Sequence, residues 1–168
     1  IAPKRFSRYI KALAHRWFPN AVTLYLDANM TLLKHPSQIA RQYQGDFVNF
    51  RHQWRNRISE EAEAILRWKK AKPDAIWHQL ATYQADGFDT DENPQTELSC
   101  NGVILRRPES EALCEMWWDE INRHTLRDQM SIDYCAWKLE KTLGKFDKDI
   151  KKTDMINISN YNRPVNDY

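Results

Sequence analysis

The sequence has few cysteines, almost no net charge and no long apolar run, and each shortage excludes something. Its three cysteines, Cys100, Cys114 and Cys135, include no C-x-x-C pair. Their odd number argues against a disulfide framework and for a reducing, cytoplasm-like compartment. Lys and Arg outnumber Asp and Glu by 25 to 23, a formal charge of +2, which gives no general drive towards nucleic acid or an anionic membrane. No apolar run reaches the roughly 18 to 20 residues of a bilayer span, and no signal peptide is recognisable. Internal repeats and low-complexity linkers are missing too. The first residue is Ile and the chain opens at once into a helix-like stretch, so a piece of a longer domain is expected.

Aromatic residues are abundant: seven Trp, seven Tyr and six Phe. Flat apolar rings fill cores and also line clefts for sugars and bases, and composition alone does not choose. The length suits one domain, residues 1–168.

Periodicity predicts helices over residues 5–17, 36–43, 59–72, 73–85, 108–122 and from about 128 to 144. Short strands are expected at 21–26, 46–51, 97–106 and 155–158, and a polar loop at 88–95. Alternating helices and strands imply an α/β fold with a mainly parallel sheet flanked by helices. In such folds ligands gather at the carboxyl ends of strands, where Leu26 gives way to Asp27. Asp27 and Asn29, two residues apart, can both present hard oxygens to Mg²⁺ or Mn²⁺ carrying a diphosphate; on spacing alone a strand-ending turn is the favoured reading.

The wider pattern resembles GT-A glycosyltransferases. Ser7-Arg8-Tyr9-x-Lys11 and His15-x-x-Phe18-Pro19 precede Leu24-Tyr25-Leu26-Asp27-Ala28-Asn29, much as a Ser-Arg helix precedes a Tyr-Leu-Asp-x-Asp strand end in family 8 enzymes; Asn29 stands where a second Asp is usual. Asn101-Gly102-Val103 resembles the strand lining the sugar side of the cleft, and Arg127-Asp128-Gln129 the Asp-Gln facing the transferred sugar. A glycosyltransferase-like domain of plants, bacteria and large algal viruses is similar over residues 4–140, through Arg8 and Lys11, Asp27, His52 and Arg55, Tyr83 and Gly87, Trp117-Trp118 and Arg127-Asp128-Gln129.

The resemblance implies a GT-A-like fold that lacks its first nucleotide-binding strand, and a nucleotide-sugar donor, UDP-linked, with a glycan or glycoprotein acceptor. Arg8, Lys11, Asp27, Ala28, Asn29, Asn101 and Gly102 would hold the donor, Asp27 and Asn29 the metal. Asp128 and Gln129 would act in transfer, and His52, Arg55, Trp118 and Arg127 on the acceptor or sugar side. Gly102 would let a ligand approach the backbone. Trp117-Trp118 also reads as helix packing, and His78 and His124 as structural. A competing reading is a catalytically degenerate glycan- or partner-binding module. A nucleic-acid-binding domain, resting on residues 51–57 and the lysines of 145–152, finds no support in the net charge.

Overall fold

The computed structural model describes residues 2–91 and 97–159. Its elements run α1 (Pro3–Ala12), β1 (Thr23–Leu26), β2 (Met30–Leu32), α2 (Pro36–Gln42), β3 (Phe47–Arg51), α3 (Ile58–Arg67), α4 (Pro73–Ala85), β4 (Ser99–Arg106), α5 (Glu111–Arg123), α6 (Ile132–Lys138), β5 (Gly144–Lys145) and β6 (Ile156–Ile158). Pro starts α1, α2 and α4, where its missing N–H costs nothing. Part of the expected loop at 88–95 lies outside the described residues.

Helix α1 stops short of the expected Trp17. Leu13 leaves helical geometry at φ −106° and ψ 38°, and Ala14–Arg16 adds one 3₁₀ turn. The break is stabilised from β4: the buried Arg106 guanidinium donates to the carbonyls of Lys11 and Ala12, which the helix end would otherwise leave unpaired. Residues 128–144 are likewise not one helix. A 3₁₀ turn at Asp128–Met130 and the short α6 replace it.

The main sheet has the order β1-β4-β3-β5. A mainly parallel sheet was expected; the sheet is mixed. β4 runs antiparallel to both β1 and β3, and only β3 and β5 pair in parallel. Since β4 lies between them, β1, β3 and β5 share one direction. Alternation of helix and strand along the chain therefore gave the common direction of three strands but not their adjacency. The carboxyl ends of β1, β3 and β5 meet the amino end of β4 at one sheet edge, with Leu26 opposite Val103 and Phe50 opposite Cys100. A second sheet pairs β2 with β6.

Alternation along the strands feeds two cores. Phe47 and Ile104 face the layer of α3 to α6, joining Trp117, Ile121, Ile58 and Tyr83. Val48, Phe50, Val103 and Leu105 face Ile39, Phe146, Met155 and Ile156. Asn49 lies on the first face with Phe47, and the register shift between Asn49 and Phe50 lets Asn101 of β4 meet it there; both amides are buried and so require hydrogen-bond partners.

Candidate active site

At the carboxyl edge, β1 ends in a turn: Asp27 N–H donates to the Gly102 carbonyl at 2.8 Å, and Met30 N–H returns to the Asp27 carbonyl at 2.9 Å. The turn exposes Ala28 and Asn29 while Asp27 stays half-buried. Gly102 opposite has a steric reason within the protein itself. A Cβ there would stand 2.7 Å from Met30 Cε, 3.3 Å from Ile150 Cδ1 and 3.5 Å from Asp27 Oδ2.

Residues three apart on one face of α1, Arg8 and Lys11, reach over this edge. Lys11 Nζ lies 2.7 Å from Asp128 Oδ2 and 3.4 Å from Asp27 Oδ1, and its side chain is only 4% exposed. Arg8 Nε lies 3.2 Å from Asp128 Oδ1 and donates to the Leu126 carbonyl. Tyr25 donates its hydroxyl to Asp27 Oδ1 at 2.9 Å. Burial beside that carboxylate pushes the phenol's pKa above its ordinary value. Two cations from one helix and two carboxylates from two other segments thus form one chain: Arg8, Asp128, Lys11, Asp27.

Asp128 is fixed from behind. Its carbonyl accepts from Trp117 Nε1 at 2.9 Å and from Asn101 Nδ2 at 3.5 Å. Burial alone would raise its carboxyl pKa, but Lys11, Arg8 and Arg127 outweigh it and hold the group below the usual carboxylate range. Asp128 is therefore an anion in the folded protein at neutral pH. The polar path continues through the sheet. Asn49 Nδ2 donates to Asn101 Oδ1 at 2.9 Å, Lys145 Nζ donates to Asn49 Oδ1 and Ser99 Oγ, and Ser99 Oγ donates to Asp133.

The structure brings Arg8, Lys11, Asp27 and Asp128 together, with Ala28, Asn29 and Gly102 beside them. Asn101 is buried, so it acts on the site by holding Asp128. Gln129 is partly buried, and its Nε2 has no protein partner among the described residues. Trp118 lies edge-on to Tyr9 at 5.2 Å, packing α5 on α1, in line with helix packing. His52 and Arg55 form a separate group: the His52 ring accepts from the backbone N–H groups of Trp54 and Arg55, and Arg55 Nε donates to Glu61 Oε2 at 2.6 Å. Desolvation, then Arg55, lowers the His52 pKa to about 4. Arg127 is the electrostatic neighbour of both groups, acting on Glu61 and on Asp128.

Missed in the sequence were Asn49, Glu61, Ser99, Asp133 and Lys145. They belong to no contiguous motif. Only a buried polar residue amid an apolar strand, such as Asn49 between Val48 and Phe50, marked one of them.

The fit to a divalent ion is partial. Of the Asp27 oxygens, Oδ1 is taken by Tyr25 and Lys11, while Oδ2 accepts no hydrogen bond among the described residues. No group of three His, Cys, Asp or Glu able to hold an ion forms among the described residues. One free carboxylate oxygen fits an ion that arrives already bound to a diphosphate, since Mg²⁺ commonly takes one or two carboxylates plus substrate phosphates. It does not fit a resident ion held by protein ligands alone.

Comparison with known proteins places this geometry in a family. The model of the TOD1/MUCI70, glycosyltransferase-like domain matches residues 2–163, and the chain belongs to that family. Among curated proteins it is 30% identical over 158 residues to the "Probable hexosyltransferase MUCI70" of Arabidopsis thaliana. The match takes in 85% of this chain but only 27% of that protein, so the chain spans about a quarter of its relative's length. No solved structure matches. The family supports the glycosyltransferase-like resemblance, though not family 8 in particular. No described helix is long and apolar enough to cross a membrane.

Proposed function

We propose that this domain transfers a sugar from a nucleotide-diphosphate sugar, UDP-linked, to a hydroxyl of a glycan or glycoprotein. The observation that carries the reading is the Arg8–Asp128–Lys11–Asp27 chain at the carboxyl edge of β1. Membership of a glycosyltransferase-like family, and likeness to a protein named as a hexosyltransferase, support it.

The cluster is charge-balanced, two cations against two carboxylates, so by itself it has little excess charge for a diphosphate. Mn²⁺ or Mg²⁺ entering with the donor, with Asp27 Oδ2 as its protein ligand and Asn29 at the rim of the turn, would supply the missing positive charge. Arg8 and Lys11 fix where the phosphates lie. In transfer the bond from the sugar carbon to phosphate breaks, the diphosphate leaves with the electron pair, and the acceptor oxygen bonds to the same carbon. An ion-paired carboxylate with a depressed pKa is a weak base, which favours Asp128 as a fixed negative charge steadying the positive sugar carbon. The acceptor proton then goes to the departing phosphate oxygen.

Calorimetric titration of UDP and a UDP-sugar panel, with and without Mn²⁺, tests the reading on wild type and Asp27→Ala. The proposal expects Mn²⁺-strengthened binding of one donor, lost in the variant. A folded protein that binds none of them overturns it in favour of a module that has kept the fold and lost the reaction.

A further inference from the structure

A concave pocket of about 330 Å³ lies away from the ion-pair chain, lined by Trp54, Arg55, Glu61, Ile65, Trp68 and Lys70 among others. Its volume is at the lower end of the range for small-molecule sites. Two of its walls are tryptophans that a packed core would have buried: Trp54 is 70% and Trp68 67% exposed. Trp54 follows β3, and Trp68 caps the carboxyl end of α3. Lys151 Nζ sits 4.4 Å from the Trp54 ring centroid, which restrains the indole.

Between these rings the pocket holds a charged group that is not solvent-facing decoration. Glu61 is 3% exposed, yet it lines the pocket. Its Oε2 accepts from Arg55, and Oε1 has no hydrogen bond among the described residues. The terminal nitrogen of Arg55 also lies 2.7 Å from the His52 ring, so the guanidinium is packed between His52 and Glu61. A flat apolar wall beside a carboxylate and a guanidinium matches the two surfaces of a pyranose. The ring's C–H face packs on an indole, and its hydroxyls donate to the carboxylate and accept from the guanidinium. The aromatic walls rule against water-filled polarity alone, and the buried acid rules against a purely apolar ligand.

We propose that this pocket binds one pyranose ring of the acceptor glycan, stacked on Trp54 or Trp68 and held through its hydroxyls by Glu61 and Arg55. The inference rests on the glycosyltransferase reading for calling the glycan an acceptor. Helix α3, which carries Glu61, packs against the 3₁₀ turn that carries Asp128, and the charge of Arg127 acts on both carboxylates. The pocket and the sugar-transfer centre thus sit on neighbouring elements, within reach of one oligosaccharide.

The test is tryptophan-fluorescence and saturation-transfer NMR titration with defined tetrasaccharides (cellotetraose, mannotetraose, chitotetraose and tetragalacturonate), alongside UDP. Wild type should bind at least one tetrasaccharide. Trp54→Ala and Trp68→Ala should each weaken that binding, the ring that stacks by about tenfold or more. Trp77→Ala should leave it unchanged, since Trp77 is exposed but does not line the pocket. All three positions are exposed, so folding survives, and circular dichroism verifies it. No tetrasaccharide binding at millimolar concentration, or binding untouched by both pocket variants, overturns the inference. UDP binding retained in that case leaves the donor reading standing; glycan binding without any nucleotide binding overturns the donor reading and leaves the pocket.

Discussion

Removing the Lys11 ammonium while keeping its bulk, Lys11→Met, is the sharpest perturbation of the site. Lys11 is almost wholly buried between Asp128 at 2.7 Å and Asp27 at 3.4 Å. Without it Asp128, 9% exposed at its side chain, keeps Arg8 at 3.2 Å as its ion-pair partner, with Arg127 acting from further off. Breaking one side of a buried pair costs about 3–5 kcal/mol because a charge is left uncompensated. Arg8 remains, so the lower end, about 3 kcal/mol, is expected. Asp128→Asn should cost a similar amount by stranding the ammonium with Asp27 alone. The double variant strands neither charge and should cost at least about 2 kcal/mol less than the sum of the two. Urea unfolding of the four proteins, followed by circular dichroism at constant m-value, measures this; each single variant should also melt about 6–12 °C lower. The pH dependence carries the same sign. Asp128's folded pKa is depressed, so its contribution is present above the unfolded value of about 3.9 and is lost as pH falls through the folded one. In Lys11→Met the acid limb should move to higher pH. Single variants that cost under about 1 kcal/mol, or a strictly additive cycle, would refute the reasoning.

Other outcomes follow from the same geometry. With the folded His52 pKa at about 4 and the unfolded one at about 6.5, the unfolded state takes up the proton first. Stability should therefore fall as pH drops from about 6.5 towards 4, by roughly 1 kcal/mol after allowing for solvent screening of a half-buried ring. His52→Gln should flatten that fall between pH 7 and 5 in urea titrations. Trp117→Phe keeps the packing against Phe47 but strips the indole N–H from the Asp128 carbonyl, at a cost of about 1–3 kcal/mol in the same assay. Gly102→Ala should be milder than Gly144→Ala. The new methyl at 102 meets the flexible tip of Met30, whereas at 144 it meets Val48 Cγ2 at 2.9 Å and the Gln44 carbonyl at 3.1 Å; about 1 against about 2 kcal/mol is expected.

What was legible in the sequence divides along physical lines. Helices α2, α4 and α5 and strands β1, β3 and β4 follow local periodicity and proline placement, and they lie close to where periodicity predicts. β2 and β5 escaped because Met30–Leu32 and Gly144–Lys145 are too short to show a period and exist only through their partners. The sheet order is likewise a tertiary choice that no local pattern encodes. For the site, Arg8 and Lys11 on α1, Asp27 after β1 and Asp128 before α6 come from three distant segments, and family resemblance brought them together before the structure did. Trp118 shows the converse: adjacent tryptophans in one helix point to different neighbours, Trp117 to the core and Trp118 to Tyr9. Glu61 was hidden inside a run of acidic residues opening α3, where an N-terminal Glu reads as a partner of the helix dipole; Glu60 does cap the helix, but Glu61 turns inward to Arg55.

The central claim is that the ion-pair chain on the β1 edge is a sugar-transfer centre with Asp128 as its fixed negative charge. Steady-state release of UDP from the preferred donor, with and without acceptor, on wild type and Asp128→Asn at a temperature where both are folded, tests it most directly. The account predicts a KM within about threefold of wild type and a kcat lowered about 100-fold or more, the signature of a charge that matters in the transition state. An unchanged kcat in the folded variant would contradict it and return Asp128 to a purely structural role.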